Sequence, residues 1–517
     1  MSTPLPSMKS TELSAAGPRA GASAALLCLL CLFMLLPWAV LASPPEEQQD
    51  DELVPALSPV SALSLACEAS PELRLAVFEL RQRELELERE QGRYAAVLTS
   101  SLDAQHSAQP TRTGDGVTAM AQSAVQASVG VADTYSTGAV LSAELQAGWS
   151  QTPGEAVQDG SMGLDLLFRA SQPLLRGAGS EVMLSSLHSA ELSLEYETIA
   201  QRRTASAVAR DVLLGYWGLW YAERELQIQE QALALSEAEL QEAEQRVALD
   251  ASPASELIAL KMELASGREQ LSTAQGAVLQ RSVELSVLLG RPAQREPLST
   301  DGEEPAVAPM PSLEALQQRA LEASLELQGM RLEVDSLRIQ EELALDDEQL
   351  RLDAMAWVQL SGMGDPVLSA FGQLGSLGAV SAFVGLELEL PFDNSFRERQ
   401  SDLASLAVSS AALRVELAEE QLRAELVQRV NAIEQAQLSL ELARETVSLA
   451  QQNVENQRQR LRLAESTSLE LARAIQSLRE AELRVARAQL SLVSEQLRLS
   501  DSTDDLLDAV AMSCSQD

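Results

Sequence analysis

The sequence predicts a mainly α fold with β: two copies of a long helical hairpin, each with strands at one end. Three observations predict it. Residues 394–517 contain neither glycine nor proline, the two residues that cost a helix interior roughly 1 and 3 kcal/mol. Within that run an apolar position recurs every seventh residue, at Leu426, Ile433, Leu440, Val447, Val454 and Leu461, then in a new register at Leu471, Leu478, Val485, Leu492 and Leu499. Two sustained heptad repeats broken once describe two coiled-coil helices joined by a tight turn, and Ala436, Ala443 and Ala450 leave room for a close partner helix. The third observation is that the pattern is duplicated 214 positions earlier, at Val212, Leu219, Leu226, Leu233, Leu240 and Val247, then Leu257, Leu264, Leu271, Val278 and Leu285. Matched positions in one unbroken offset mark an internal repeat.

Composition narrows the function. With 76 acidic against 38 basic residues, the 517-residue chain carries a net charge of −38. That balance excludes a nucleic-acid partner, which needs a basic surface, and suits a solvated coiled-coil exterior or a lumen that cations enter easily. Aromatic residues are only 3%, too few for a large conventional globular core. The two histidines, His106 and His188, stand far apart with no cysteine or carboxylate at ligand spacing, and Gly177 and Gly179 lack a phosphate-loop context. The expectation is therefore a protein that is not an enzyme and has no catalytic residue, metal or cofactor.

The amino terminus indicates export. Lys9 and Arg19 precede an apolar run over 24–42, and Val40 and Ala42 are the small residues a signal peptidase accepts, so residues 1–42 read as a cleaved signal peptide. Residues 43–62, acidic and proline-bearing, read as a flexible lead-in. Past the signal, Cys67 and Cys514 remain, either as a disulfide or as separate thiols.

The first repeat is placed at 63–292 and the second at 312–500, joined by a proline-rich acidic linker over 293–311 and followed by a tail over 501–517. Each copy reads as helix, strand region, long helix, turn, helix. Opening helices are expected over about 71–97 and 312–352. The periodicity then switches to two: Leu164, Leu166 and Phe168 share a face opposite Asp165 and Arg169, and Val384, Leu386, Leu388 and Leu390 alternate with Gly385, Glu387 and Glu389. An apolar row backed by carboxylates fits a lipid-facing barrel wall with a wet interior, and equally a sandwich strand with one solvated face. The first copy holds an additional alternating hairpin at about 121–150, turning near Gly138, which either joins a barrel or stands above it. Strands near 97–104 and 354–361 have less clean faces.

With the order of these motifs in place, the chain resembles the outer-membrane efflux protein family, typified by the TolC channel. The resemblance rests on Ser70-Pro71-Glu72-Leu73, Gln172-Pro173-Leu174-Leu175-Arg176-Gly177, Gly215-Tyr216-Trp217-Gly218-Leu219-Trp220 and Leu288-Leu289-Gly290-Arg291-Pro292. It implies a homotrimer in which each chain gives four strands to a shared transmembrane β-barrel in the outer membrane, while the helical hairpins form a periplasmic α-barrel. It also implies an exit duct of a tripartite efflux or type I secretion system, passing small molecules or polypeptides, with a periplasmic adaptor protein and an inner-membrane pump docking at the helical turns. Those turns are Arg246, Val247, Ala248, Leu249, Asp250, Ala251 and Ser252 in the first copy and Arg460, Leu461, Arg462, Leu463, Ala464, Glu465 and Ser466 in the second. Asp250 and Ala464 stand where the family usually has glycine. Glu256 and Glu470 match the family's acidic position past each turn, a candidate constriction, but Arg473 falls where a second acid is expected. The competing readings are a periplasmic coiled-coil adaptor or scaffold, and a coiled coil anchored through 24–42.

Overall fold

The computed structural model describes residues 56–506, apart from 114–115, 152–160, 249–254, 293–295, 307–308, 365–366 and 464. The expected signal peptide, most of the lead-in and most of the tail therefore lie outside the described residues. The first copy runs α1 (Pro59–Ala69), α2 (Pro71–Gly92), β1 (Val97–Thr113), β2 (Gly116–Thr134), β3 (Val140–Gln151), β4 (Ser161–Pro173), α3 (Ser180–Met183), α4 (Ser185–Ala248) and α5 (Ser255–Leu288). The second runs α6 (Leu313–Ala323), α7 (Leu325–Glu348), β5 (Arg351–Met363), α8 (Val367–Gly375), β6 (Val380–Glu389), α9 (Ser395–Arg462) and α10 (Ser468–Ser502).

The long helices α4 and α9, of 64 and 68 residues, extend about 100 Å at 1.5 Å per residue. None of the heptad positions in either copy is exposed, so the seven-residue repeat marks the seams between helices. In the half nearer the sheet α2 packs on α4, α4 on α7 and α7 on α9; in the far half α5 packs on α4, α4 on α10 and α10 on α9. Each long helix thus carries an opening helix and a return helix along its length. Leu426, Ile433, Leu440, Leu492 and Leu499 join Leu316 of α6 in one core, and Val212, Leu219 and Leu285 join Leu63 of α1 in another.

Both opening helices are broken at matching serines. The backbone at Ser70 (φ −59°, ψ 122°) and at Ser324 (φ −52°, ψ 114°) is extended, so the single helix expected over 312–352 is two, and the Ser324 hydroxyl caps the second by accepting from the Leu327 amide. The helix expected to reach 97 ends at Gly92. The lead-in is also ordered at its end: Ser58 and Ser61 form a reciprocal cap on α1, and Leu57 bridges in parallel to Thr300 of the linker. The linker is tied down there, because the Thr300 hydroxyl donates to Glu223 and the Tyr216 hydroxyl donates to Asp301 at 2.8 Å. Gly290 takes φ +68° directly after α5, and a side chain there would strike the Ala69 carbonyl oxygen. Cys67 is disulfide-bonded; the other three cysteines, Cys514 among them, lie outside the described residues.

The strands form one antiparallel sheet in the order β1-β2-β3-β4-β5-β6. The sheet thus holds the four strands the resemblance implies together with the additional hairpin. The additional hairpin is β2–β3, inserted between β1 and β4 rather than standing apart. It turns at the helix end of the sheet, where Gly138 has φ +86° and its absent Cβ would lie 2.7 Å from the Gly177 carbonyl oxygen and 2.8 Å from Pro173. Only glycine satisfies both the backbone and the close approach.

Register sorts the faces, because directly paired residues point the same way. One face carries Leu98 and Leu102 of β1, Val125 and Val129 of β2, Leu141, Leu145 and Trp149 of β3, Leu166 and Phe168 of β4, Val358 and Leu360 of β5, and Val384, Leu386 and Leu388 of β6. Among the described strand residues whose side chains are placed, Asp133, near the helix end, is the only carboxylate on that face, and the face carries no lysine or arginine. The opposite face carries Asp103, Glu144, Asp165, Asp353, Glu387 and Glu389 against Arg169 and Arg351. Helix α8 folds back over the apolar face, where Ala370 and Leu374 sit so close above Gly362 that no side chain fits at that position.

Candidate functional site

Two regions carry the functional expectations: the helical tips and the polar face of the sheet. At the tips, Leu249, Asp250, Ala251, Ser252 and Ala464 lie outside the described residues. The rest are placed. Arg246, Val247 and Ala248 end α4, Glu256 opens α5, and Arg460, Leu461, Arg462, Leu463, Glu465 and Ser466 surround the turn from α9 to α10.

The second turn is held by its own backbone and side chains. The Glu465 amide donates to the Arg460 carbonyl at 2.9 Å, and the Arg460 guanidinium returns to the Glu465 carbonyl at 3.2 Å. Thr467 caps α10 by accepting from the Glu470 amide. The Glu470 carboxylate lies 2.6 Å from the Ser466 hydroxyl. That bond, a hydrogen bond from the Thr467 backbone and the nearby Arg460 and Arg473 charges hold the Glu470 carboxyl below the usual glutamate range. Leu461 turns inward onto Val454, Leu471, Ala474 and Ile475, whereas Leu463 points out and is 70% exposed. Arg462 and Arg473 are exposed.

The two tips are also joined to each other. Arg246 donates to the Ser468 hydroxyl at 2.6 Å and to Glu239 at 3.0 Å, and the Ser468 amide donates to Glu256 at 3.1 Å. Glu256, on the first hairpin, therefore supplies a negative charge to the amino terminus of the second hairpin's return helix, where the helix dipole favours it. Glu239 is only 6% exposed; burial pushes its carboxyl up, opposed by Arg246. Glu256 and Glu470, equivalent by the repeat, thus do different work: one ties the hairpins together and the other secures its own turn. Sequence reasoning missed Glu239, Thr467 and Ser468. Thr467-Ser468-Leu469-Glu470 carries the spacing of a capping box, a legible signal, and Glu239 lies two helical turns before Arg246 on the same face.

On the polar face of the sheet, Asp165 accepts from Ser361 at 2.5 Å and from Gln359 at 3.0 Å. Glu389 is approached by Arg176, Arg351 and Arg397 at 3.4 to 3.7 Å where β6 meets the helices. Trp357 and Phe383 stack at 5.8 Å on this face. Among the described residues no group of His, Cys, Asp and Glu has metal-binding geometry. No described helix is long and apolar enough to cross a membrane.

Long helical hairpins in duplicate, attached to an antiparallel sheet with one apolar face, are the fold of outer-membrane channel proteins. Among solved structures, the outer membrane protein VceC from Vibrio cholerae is similar at TM-score 0.62 and 15% identity, over 86% of this chain and 95% of that one. The Campylobacter jejuni CmeC outer membrane channel is similar at TM-score 0.60 and 12% identity, over 89% and 90%. The open state of the Neisseria gonorrhoeae MtrE outer membrane channel is similar at TM-score 0.61 and 15% identity, over 86% and 88%. No protein-family model matches the sequence, and no curated protein does. At these identities the shared property is the fold.

Proposed function

We propose that this chain is the exit duct of a tripartite efflux or type I secretion system, passing small molecules or polypeptides from the periplasm to the exterior. Three copies close their sheets into a transmembrane β-barrel in the outer membrane and their helices into a periplasmic α-barrel. The observation that carries the reading is the segregation of faces across the whole sheet. Six strands of 10 to 19 residues meet the 9–11 residues a tilted strand needs to span a bilayer. Apolar side chains coat one side and carboxylates the other, the arrangement of a lipid-facing wall around water.

A single copy is incomplete in a consistent way. The outer edges of the sheet are β1 and β6, and an unpaired edge cannot rest in hydrocarbon. The helical layer ends on α2 and α9 beside the sheet, the helices that adjoin those same strands in the chain. Phe78 and Leu85 of α2 and Leu403, Leu406 and Leu413 of α9 are exposed. Edge meeting opposite edge is a heterologous contact, which generates a closed ring of copies when the rotation between them closes. In the far half, exposed Ile258 and Met262 of α5 and Leu442 and Leu449 of α9 continue the same seam. At the open end of the α-barrel, the turns at 246–252 and 460–466 dock the periplasmic adaptor protein and the inner-membrane pump, with Leu463 as the apolar anchor. Glu256, Glu470 and Arg473 stand near the periplasmic constriction.

Fractionation of cells producing the whole chain with its leader tests this reading. The chain is expected in the outer membrane and released only by detergent, and a photo-crosslinker at Leu463 captures the adaptor. Recovery of folded protein in the soluble periplasmic fraction points instead to an adaptor or scaffold.

A further inference from the structure

We propose that the duct has an eighteen-stranded barrel, half again as wide as four strands per subunit would build, so that its mouth admits cargo as broad as a folded helical hairpin. This rests on the three-copy duct reading. It deepens that reading by assigning the width of the exit to the β2–β3 hairpin.

The argument begins with where the hairpin lies. An extra hairpin above the membrane would leave β1 paired with β4. Here Val97 pairs with Ala132, Ala132 with Ser142 and Ser142 with Arg169, so β2 and β3 separate β1 from β4 along continuous ladders. At 19 and 12 residues both strands are long enough to span. Their faces agree with the rest of the wall: Val129 and Leu145 share the apolar side, while Gln146 and Glu144 share the polar side with Asp165. A hairpin lying outside the wall would have no reason to keep that alternation. The turn seated at Gly138 roots the insertion at the helix end.

Width follows from strand number. Strands spaced about 4.8 Å and tilted about 40° each take up about 6.3 Å of circumference. Eighteen strands give a backbone diameter of about 36 Å, against about 24 Å for twelve. Side chains remove about 5 Å on each side, leaving about 26 Å clear rather than about 14 Å. Helices are about 10 Å across, so the first opening clears a helical hairpin and the second only a single helix.

The test compares the whole chain with a variant lacking residues 116–151. Deleting both strands leaves β1 antiparallel to β4 with faces matched, since Val97 then stands opposite Arg169. Each protein is reconstituted in planar bilayers, its mass is measured in detergent, and polyethylene glycols of graded size are added on the barrel side. The expected results are three copies in both and a polymer exclusion radius about 1.9-fold larger for the whole chain, the ratio of the two clear openings. Equal exclusion radii, or two copies of the whole chain, overturn the inference while leaving the duct intact. Absence of any conductance from the folded whole chain overturns the duct reading and this one with it. A second measurement does not depend on the deletion folding. In the whole chain, a bulky thiol reagent on Glu144→Cys is expected to cut conductance, and on Ala143→Cys to leave it unchanged. The same response at both sites places β3 outside the wall and overturns the inference.

Discussion

Replacing Arg246 by methionine keeps the aliphatic stem and removes the guanidinium that joins the two tips. The substitution deletes the hydrogen bonds to Ser468 at 2.6 Å and to Glu239 at 3.0 Å, and it strands the Glu239 carboxylate in a site only 6% exposed. Breaking a fully buried pair costs about 3–5 kcal/mol. The Arg246 side chain is 27% exposed, so the cost here is about 2–3 kcal/mol. This cost is local: at about 1.4 kcal/mol per tenfold, backbone amides at the end of α4 and the start of α10 are expected to exchange hydrogen about 30- to 150-fold faster at neutral pH. The pH dependence has a definite sign. A carboxyl whose folded pKa is raised by burial, as that of Glu239 is, contributes stability that is complete below its unfolded value, about 4.3, and lost as pH rises through the folded value. The excess exchange, corrected for intrinsic rates, should therefore shrink on acidification. Adding Glu239→Gln should remove most of the excess, because no buried charge is left. Exchange that rises uniformly along both helices, or that does not change at the tips, would refute the proposed link.

Three further outcomes follow from other parts of the structure. Leu386→Arg puts a charge on the apolar face and is expected to cost about 2–4 kcal/mol at the middle of a bilayer, sharply reducing the folded, membrane-inserted fraction, whereas Glu387→Arg on the opposite face leaves insertion intact; gel mobility before and after heating reads both. The excess of Asp103, Glu144, Asp165, Asp353, Glu387 and Glu389 over Arg169 and Arg351 predicts a cation-selective pore, and reversal potentials in a salt gradient should move toward zero in the double variant Glu144→Gln, Glu387→Gln. Gly290→Val, at φ +68° and against the Ala69 carbonyl, is expected to destabilise by more than the 1–3 kcal/mol of a strained backbone position, seen as a lowered Tm and weakened docking of α1.

The helices were legible because a heptad is a strong signal repeated over many turns, and because the 214-residue offset aligns α4 with α9 and α5 with α10. Ser324 was not legible as a break: serine is ordinary in a helix, and the proline that marks the matching position in the first copy, Pro71, is replaced there by Leu325. β6 was readable from its leucines, whereas β1 and β5 mix alanine and serine into the apolar face, as at Ser100, Ala354 and Ala356, which blurs a two-residue period. Alternation in β2 and β3 was visible, but pairing is non-local, and local sequence does not say which strand a hairpin sits beside. The tips were located by the register change. Their mutual contact was not, since Arg246 and Ser468 lie 222 residues apart and belong to different copies of the repeat.

The central claim is that this sheet closes, with other copies of itself, into a water-filled wall across a membrane. Single-channel recording of the folded, detergent-purified whole chain in planar bilayers tests it most directly, with mass determined on the same sample. Discrete ion-conducting steps from a particle of three chains are predicted. Folded protein that conducts nothing and runs as a single chain would contradict the account.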